Sequence, residues 1–169
     1  MFRCYLALGS NLGDREAAIR DGIASLEACG IRILRRASLY STEPRGLAEQ
    51  PHFLNTVVEA ETTLEPDMLM AACLRVEQFY GRERSVPNAP RTLDIDIILI
   101  EDRIIRDEGL RVPHPRFRER RFVLTPLAEI APAIVDPESG ETIATLLEGL
   151  DDPGTVTLWD PAPPPPGPD

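Results

Sequence analysis

The clearest alternation of apolar and polar residues lies at residues 93–100, whose sequence is LDIDIILI. The length of this run and its β-branched residues favour a strand over a helix. Side chains alternate between the two faces of a strand. One face is then wholly apolar and comprises Leu93, Ile95, Ile97 and Leu99. The other face carries Asp94 and Asp96, whose Cα atoms would lie about 6.6 Å apart.

Shorter periodic patterns predict the remaining elements. Strands are predicted at residues 3–8, 32–40, 53–62 and 104–105. Helices are predicted at residues 14–30, 66–81, roughly 120–132 and 143–150. Gly30 and Gly81 mark the ends of the first two helices, because glycine is common just beyond a helix C-terminus.

The main elements follow the order β-α-β-β-α-β, which is the order of the split β-α-β, ferredoxin-like arrangement. The predicted class is therefore α+β, with a largely antiparallel sheet, helices on one face and a C-terminal helical appendage. We expect the face that carries the two aspartates to be free. The sequence predicts one domain over residues 1–159 and a Pro-rich disordered tail at 160–169.

Asp94 and Asp96 are candidate metal ligands. Two carboxylates on one face repel each other, and burial raises the pKa of such groups unless a cation lies between them. Mg²⁺ is commonly held by one or two carboxylates together with substrate phosphates. The same spacing also occurs at solvated strand ends, so the pair alone does not distinguish the two interpretations.

A second candidate site lies on the strand predicted at residues 53–62. Phe53 and Asn55 share one face, where a flat heterocycle could stack on the ring and hydrogen-bond to the amide. A core phenylalanine and an asparagine that bonds a turn would give the same pattern. The connection before this strand, at residues 41–52, has a length typical of functional lids.

Two further features each allow a structural and a functional interpretation. Residues 9–13 form a turn-rich segment, but they lack the lysine and the spacing of a P-loop. A tight turn with a capping Asn11 explains this segment equally well. His114 lies in the stiff sequence Val-Pro-His-Pro, where it is either a functional group or an ordinary surface residue.

Composition narrows the class of protein. The chain has 169 residues, of which 43% are apolar, and no apolar run reaches the length of a membrane span. The net charge of −10 argues against a nucleic-acid partner. The N-terminal segment does not fit a secretory signal, and the three cysteines lack metal-site spacing. We therefore expect a cytoplasmic protein with reduced, buried cysteines.

Arginines are nevertheless concentrated in two segments. The first contains Arg82, Arg84 and Arg91, just before the aspartate strand. The second contains Arg116, Arg118, Arg120 and Arg121. One cluster alone is consistent with a solvated surface, but two clusters on either side of a carboxylate pair indicate a polyphosphate site.

Several motifs together resemble the 6-hydroxymethyl-7,8-dihydropterin pyrophosphokinase family. They are Gly-Ser-Asn-Leu at 9–12, Pro-x-Phe-Leu-Asn at 51–55, Pro-Arg-Thr-Leu-Asp-Ile-Asp at 90–96, Val-Pro-His-Pro at 112–115, and Arg120 with Phe122. They occur in the order and at about the spacings of that family. The resemblance implies transfer of diphosphate from ATP to the hydroxymethyl group of the pterin, with release of AMP, in folate biosynthesis.

The resemblance also implies a set of site residues. Asp94 and Asp96 would hold two Mg²⁺ ions and would be catalytic together with Arg82 and Arg91. The pterin would be bound by Asn11, Thr42, Pro44, Gly46, Phe53, Asn55 and Phe122. ATP would be bound by Glu77, Arg82, Arg84, Arg91, Ile97, His114 and Arg120.

The chain departs from the family pattern before Pro90, where Asn88 and Ala89 stand in place of an aromatic residue and glycine. Gly109 stands where some members carry an arginine for the nucleotide. Two alternatives stay open: another Asp-x-Asp enzyme such as a nucleotide-sugar transferase, and a catalytically idle pterin- or nucleotide-binding module. We expect a monomer with small-molecule substrates and no membrane partner.

Overall fold

The computed structural model describes residues 1–42, 52–80, 93–152 and 154–159. The strands are β1 (Phe2–Ser10), β2 (Ile31–Arg36), β3 (Tyr40–Thr42), β4 (Phe53–Thr62), β5 (Asp94–Ile100), β6 (Ile105–Arg106), β7 (Arg111–Val112) and β8 (Val156–Leu158). The helices are α1 (Arg15–Ala28), α2 (Pro66–Phe79), α3 (Arg121–Ile130) and α4 (Ile143–Glu148), with a 3₁₀ turn at Phe117–Glu119. None of these helices is long and apolar enough to cross a membrane. The predicted tail at 160–169 lies outside the described residues.

The main sheet has the strand order β5-β1-β4-β3-β8, and β2 also pairs with β4. Strand β1 is antiparallel to both β4 and β5 and therefore joins them across the sheet. The path β1, α1, β2, β4, α2 and β5 reproduces the predicted β-α-β-β-α-β order. The ferredoxin-like fold class is therefore confirmed.

Local signals set both ends of α1. Asp14 is the N-cap residue, and its carboxylate accepts a hydrogen bond from the backbone N–H of Ala17 at 3.1 Å. The chain leaves the helix through Gly30, whose φ of +90° is a conformation that other residues rarely adopt. Because β1 ends at Ser10 and α1 begins at Arg15, the start of the helix lies close to the end of this strand.

A hydrophobic core lies on each face of the sheet. On one face, α1 and α2 cover a cluster that includes Leu6 and Leu93. On the other face, α3 and α4 cover a cluster that includes Val57 and Leu124. The expectation that the second face is free is therefore wrong, because α3 presents its own apolar residues to β4.

The cysteines behave as structural residues. Cys4 and Cys73 are buried, Cys29 is partly buried, and all three are free thiols. Burial raises the pKa of Cys4 to about 12, so this thiol stays protonated near neutral pH. The prediction of buried cysteines is confirmed for Cys4 and Cys73.

A β-bulge at Ile98 changes the face of the residue that follows it. Tyr5 is opposite Leu99 and Leu6 is opposite Ile97, so Ile98 is the extra residue of the ladder. Ile98 and Leu99 both belong to the core under α3, whereas Ile97 belongs to the core under α1 and α2. The prediction that Leu99 shares a face with Ile97 is therefore wrong.

The predicted strand at residues 32–40 is divided into two strands. Strand β2 pairs with the second half of β4 as far as Val58, whereas β3 pairs with Phe53 to Asn55. The β2 ladder is already irregular between Ile33 and Arg35. This irregularity interrupts the alternation that a single strand requires. Strand β8 was not predicted at all.

Candidate active site

The two aspartates lie on one face of β5. Asp94 pairs with Gly9 and Asp96 pairs with Ala7 on the neighbouring strand. Directly paired residues of antiparallel strands have their side chains on the same face. The carboxylates therefore have only a hydrogen atom and a methyl group beside them on β1. Both aspartates are partly exposed, so a ligand has access to them.

The carboxylate pair suits a metal that is shared with a ligand. Within the described parts of the chain, no group of three or more His, Cys, Asp or Glu side chains could enclose a metal ion. Mg²⁺ is bound by one or two carboxylates when substrate phosphates and water supply its other ligands. Asp94 and Asp96 therefore fit Mg²⁺ that is held jointly with a polyphosphate.

Glu77 fixes the outer edge of β5. This carboxylate is only 1% exposed, and its Oε1 accepts a hydrogen bond from the backbone N–H of Ile95 at 2.7 Å. Ile95 lies between the two aspartates, and β5 is an edge strand. Glu77 therefore holds the strand segment from which both carboxylates project.

The side chain of Ile97, a predicted ATP residue, is directed away from the face that carries the aspartates. It is 3% exposed and belongs to the core under α1 and α2. The N–H of Ile95 faces away from β1, since it is bonded to Glu77. Backbone groups two residues apart in a strand point the same way. The main chain of Ile97 therefore faces the outer edge of the sheet.

His114 is held as a neutral ring near Asp94. Burial, the largest cause, and the positive charges of Arg120 and Arg116 together lower the pKa of His114 from 6.5 to about 4, while the negative charge of Asp94 opposes them. The Nδ1 atom accepts a hydrogen bond from the backbone N–H of Arg116 at 3.1 Å. The proton of the neutral ring therefore lies on Nε2, which is a hydrogen-bond donor. The backbone N–H of His114 donates to the carbonyl of Ile98 at 2.9 Å and so attaches this segment to β5.

Arg120 and Phe122, two further predicted site residues, contact each other. Arg120 is the N-cap residue of α3, and its guanidinium carbon lies 5.6 Å from the centre of the Phe122 ring. Both side chains are partly buried. Phe122 packs against the core that contains Val57, on the same face of the sheet as Asp96. The sheet therefore brings an arginine and an aromatic ring to the face that carries the carboxylates.

Asn55 and Thr42 form a buried polar pair. They are 7% and 5% exposed, and the Asn55 Nδ2 donates a hydrogen bond to the Thr42 Oγ1 at 2.7 Å. Asn55 is opposite Gly9 in the sheet, in the same row as Asp94. A Cβ atom at Gly9 would lie only 2.8 Å from the Asn55 Oδ1, so this carbonyl oxygen occupies the space above the glycine. The amide oxygen is therefore directed toward the strand that separates it from Asp94.

Two further predicted pterin residues, Phe53 and Asn11, belong to the described part of the chain. Phe53 is partly exposed and is opposite Thr42 in the β3–β4 ladder. Asn11 is fully buried just after β1. Pro44, Gly46, Arg82, Arg84 and Arg91 lie outside the described residues.

Sequence reasoning missed two features of this site. Gly9 has no unusual backbone angle, and its importance arises only from its two neighbours across the sheet. Trp159 lies at the other end of the chain but lines a cleft of about 490 Å³. The other residues around this cleft are Asn11, Gly13, Arg15, Ser41 and His52. The order of residues along the chain gives no local signal for either feature.

The fold and the site together define a class of protein. It is a ferredoxin-like α+β protein in which a carboxylate pair, a neutral histidine and a buried amide meet at one end of the sheet. The family model for 7,8-dihydro-6-hydroxymethylpterin-pyrophosphokinase (HPPK) matches residues 5–132. The chain therefore belongs to this family, and the family predicted from the motifs is confirmed.

Individual relatives agree with the family model. The 2-amino-4-hydroxy-6-hydroxymethyldihydropteridine pyrophosphokinase of Methylorubrum extorquens is 44% identical over 155 residues, which cover 91% of this chain and 97% of that protein. The enzyme of the same name from Bacillus subtilis is 46% identical over 127 residues, which cover 75% of this chain and 76% of that protein.

A solved structure supports the fold. The wild-type HPPK-DHPS protein of Plasmodium falciparum with SDX-DHP matches 88% of this chain with a TM-score of 0.68. The identity is 14%, so this likeness concerns the fold alone. This chain matches 43% of the length of that chain.

Proposed function

We propose that this chain transfers diphosphate from ATP to the hydroxymethyl group of 6-hydroxymethyl-7,8-dihydropterin, with release of AMP, as a step of folate biosynthesis. The observation that carries the proposal is the row Asn55, Gly9 and Asp94 across three adjacent strands. In this row one strand, β1, separates an amide suited to a heterocycle from a carboxylate suited to a metal-bound phosphate. This arrangement supports a transfer reaction between a pterin and ATP on one face of the sheet.

Asp94 and Asp96 are proposed to hold two Mg²⁺ ions together with the phosphates of ATP. When bound, the metal ions would neutralise charge on the phosphate oxygens and favour attack at phosphorus. The carboxylates of Asp94 and Asp96 have hard oxygen donors, are partly exposed and have small neighbours on β1, which are the properties that a magnesium site of this kind requires.

The chain's own cations and donors complete the nucleotide side. The Nε2–H of His114 donates to a phosphate oxygen without adding charge, because the ring is neutral. The guanidinium of Arg120 stabilises the negative charge of the phosphates. Arg82, Arg84 and Arg91 are proposed to contact the phosphates as well, and phosphoryl transfer depends mainly on such positioning and charge neutralisation. Glu77 and the main chain of Ile97 are proposed to contact the rest of the nucleotide.

The pterin is proposed to bind between Phe53 and Phe122. Because Thr42 accepts a hydrogen bond from the amide nitrogen of Asn55, the amide oxygen is left to accept from the N–H groups of the pterin. Asn11, Pro44 and Gly46 are proposed to line the same pocket. This orientation of Asn55 would direct the pterin ring toward β5, the strand that carries Asp94 and Asp96.

Further proposals concern the whole protein. We propose a single catalytic domain over residues 1–159 with a Pro-rich tail, acting as a cytoplasmic monomer on small-molecule substrates. Two free buried thiols support a reducing compartment, and the net charge of −10 opposes binding to nucleic acid.

Product analysis tests the proposed reaction. The purified chain is incubated with ATP, Mg²⁺ and 6-hydroxymethyl-7,8-dihydropterin, and the products are identified by ³¹P NMR. The proposal predicts AMP and a pterin diphosphate in equal amounts, and no AMP without the pterin. Formation of ADP would mean attack at the wrong phosphorus. Pterin binding without turnover would favour the idle binding module.

A further inference from the structure

The C-terminal strand β8 is joined directly to the strand that carries Thr42. In the β3–β8 ladder, Thr42 is opposite Val156 and Tyr40 is opposite Leu158. The next residue, Trp159, donates its backbone N–H to the carbonyl of Leu39 at 2.9 Å. This segment lies beyond residues 5–132, the part of the chain that the family model matches.

Arg15 connects Trp159 to the other end of the β3–β4 connection. The Arg15 guanidinium carbon lies 5.0 Å from the centre of the Trp159 ring, which is the geometry of a cation–π contact. The Nη1 of the same guanidinium donates a hydrogen bond to the carbonyl of His52 at 2.6 Å. His52 directly precedes Phe53. The ring of Trp159 therefore fixes Arg15, and Arg15 fixes the entry to β4.

We infer that Trp159 and Arg15 are positioning residues for the pterin. Strand β8 holds the Thr42 end of the connection, and the Trp159–Arg15 contact holds the His52 end. These two ends carry the Thr42–Asn55 hydrogen bond and the Phe53 ring. The inference rests on the proposed function, since it concerns the pterin half of that site.

The Trp159 ring acts through its shape and π-face. Its indole Nε1 is buried and has no hydrogen-bond partner among the described residues. The ring contacts the Arg15 guanidinium and packs against the core under α1 and α2, and the backbone N–H bonds to Leu39. Phenylalanine retains a ring for the guanidinium and lacks the unsatisfied N–H, so Trp159→Phe should preserve the positioning that Trp159→Ala removes.

Binding of the two substrates, measured separately, tests the inference. Calorimetry gives the Kd of 6-hydroxymethyl-7,8-dihydropterin in the presence of a non-hydrolysable ATP analogue and Mg²⁺, and the Kd of the analogue alone. We expect Trp159→Ala to weaken pterin binding by about two- to thirtyfold, since cation–π contacts of this kind contribute about 0.5–2 kcal/mol. The Kd of the analogue should change by less than about twofold, because the nucleotide residues are on other elements.

Matched variants separate positioning from general stability. Leu158→Ala changes an exposed side chain of the same strand, and Arg20→Ala removes an exposed arginine of α1, so neither should change pterin binding. Arg15→Ala should weaken pterin binding as Trp159→Ala does, and the double variant should be no worse than either single one. If Trp159→Ala fails to fold, Arg15→Ala against Arg20→Ala gives the same test.

Three results would overturn the inference. They are unchanged pterin affinity in folded Trp159→Ala and Arg15→Ala, equal weakening of pterin and nucleotide binding, and failure of Trp159→Phe to restore the affinity. Failure of the proposed function is distinguishable, because it would appear as wild-type protein that forms no pterin-dependent AMP.

Discussion

The Gly9→Ala variant examines the centre of the site with the smallest possible change. The added Cβ would lie 2.8 Å from the Asn55 Oδ1, whereas ordinary van der Waals contact begins at 3.4 Å. The amide must therefore move by roughly 0.6 Å, away from Gly9. The Asn55–Thr42 hydrogen bond is already short at 2.7 Å and lies between two buried side chains, so this movement disturbs it.

The expected cost follows from that hydrogen bond. Leaving a buried polar group unsatisfied costs about 1–3 kcal/mol. If this free energy is lost from pterin binding, the affinity for the pterin falls by about five- to 150-fold. The next nearest atom to the added Cβ is the backbone oxygen of Leu54 at 3.6 Å, so the carboxylate side of Gly9 is not crowded. Nucleotide affinity should therefore change by less than about twofold.

The assay is the KM for 6-hydroxymethyl-7,8-dihydropterin, together with the Kd of an ATP analogue. Gly109→Ala is the matched control, because a Cβ at Gly109 meets no atom within 4 Å. In an Asn55→Ala background the clash partner is absent, so adding Gly9→Ala should cost little more. A wild-type pterin KM in Gly9→Ala, or the full cost in the Asn55→Ala background, would contradict a clash between the added Cβ and the Asn55 amide.

Three other predictions concern stability, each measured by urea denaturation. Gly22→Ala places a Cβ 2.7 Å from the Leu93 Cδ2. This overpacking should lower the free energy of unfolding by about 1–2 kcal/mol, despite the better helix propensity of alanine. An unchanged urea midpoint would contradict this prediction. Asp136→Ala should lower the free energy of unfolding by about 3 kcal/mol or more, because Asp136 is fully buried and its Oδ1 accepts a hydrogen bond from the Arg118 Nη2 at 2.8 Å. A loss below about 1 kcal/mol would contradict a stabilising pair at this position. Since the pKa of His114 is lowered from 6.5 to about 4, the unfolded chain binds more protons than the folded chain between those pH values. The wild type should therefore lose more stability than His114→Gln on acidification through this range, and parallel losses would contradict a neutral His114 ring in the folded chain.

The parts of the fold that depend on local sequence could be predicted. The alternation at residues 93–97 places Asp94 and Asp96 on one face, because a strand imposes that period on its own residues. The N-terminus of α1 is likewise set by a neighbouring residue, since the side chain of Asp14 caps it.

The parts of the fold that depend on partners distant in sequence could not be predicted. The bulge at Ile98 exists only against β1, and it moves Leu99 to the other core. The cover that α3 gives to the second face depends on how its apolar residues meet β4. The role of Gly9 depends on Asn55, 46 positions later in the sequence numbering, and a single strand pattern contains no such information.

Arg118 and Asp136 illustrate the same limit. Arg118 belongs to a cluster that indicated a polyphosphate site, yet its guanidinium is bonded to the buried Asp136. Burial opposes ionisation of that carboxyl, but hydrogen bonds from Arg118, Ser139 and the backbone of Glu138 lower the pKa of Asp136 overall. This arginine is therefore a structural residue, and only Arg120 of the second cluster lies among the residues of the proposed site.

The most direct test of the central claim is pterin-dependent formation of AMP by wild type, Asp96→Ala and Asp102→Ala in the presence of Mg²⁺. Asp102 is an exposed carboxylate just after β5 and serves as the control. We expect wild-type turnover in Asp102→Ala and a loss of at least about 100-fold in Asp96→Ala, because metal ions contribute several kcal/mol to stabilising the transition state. Comparable AMP formation by Asp96→Ala and wild type would contradict the assignment of the carboxylate pair.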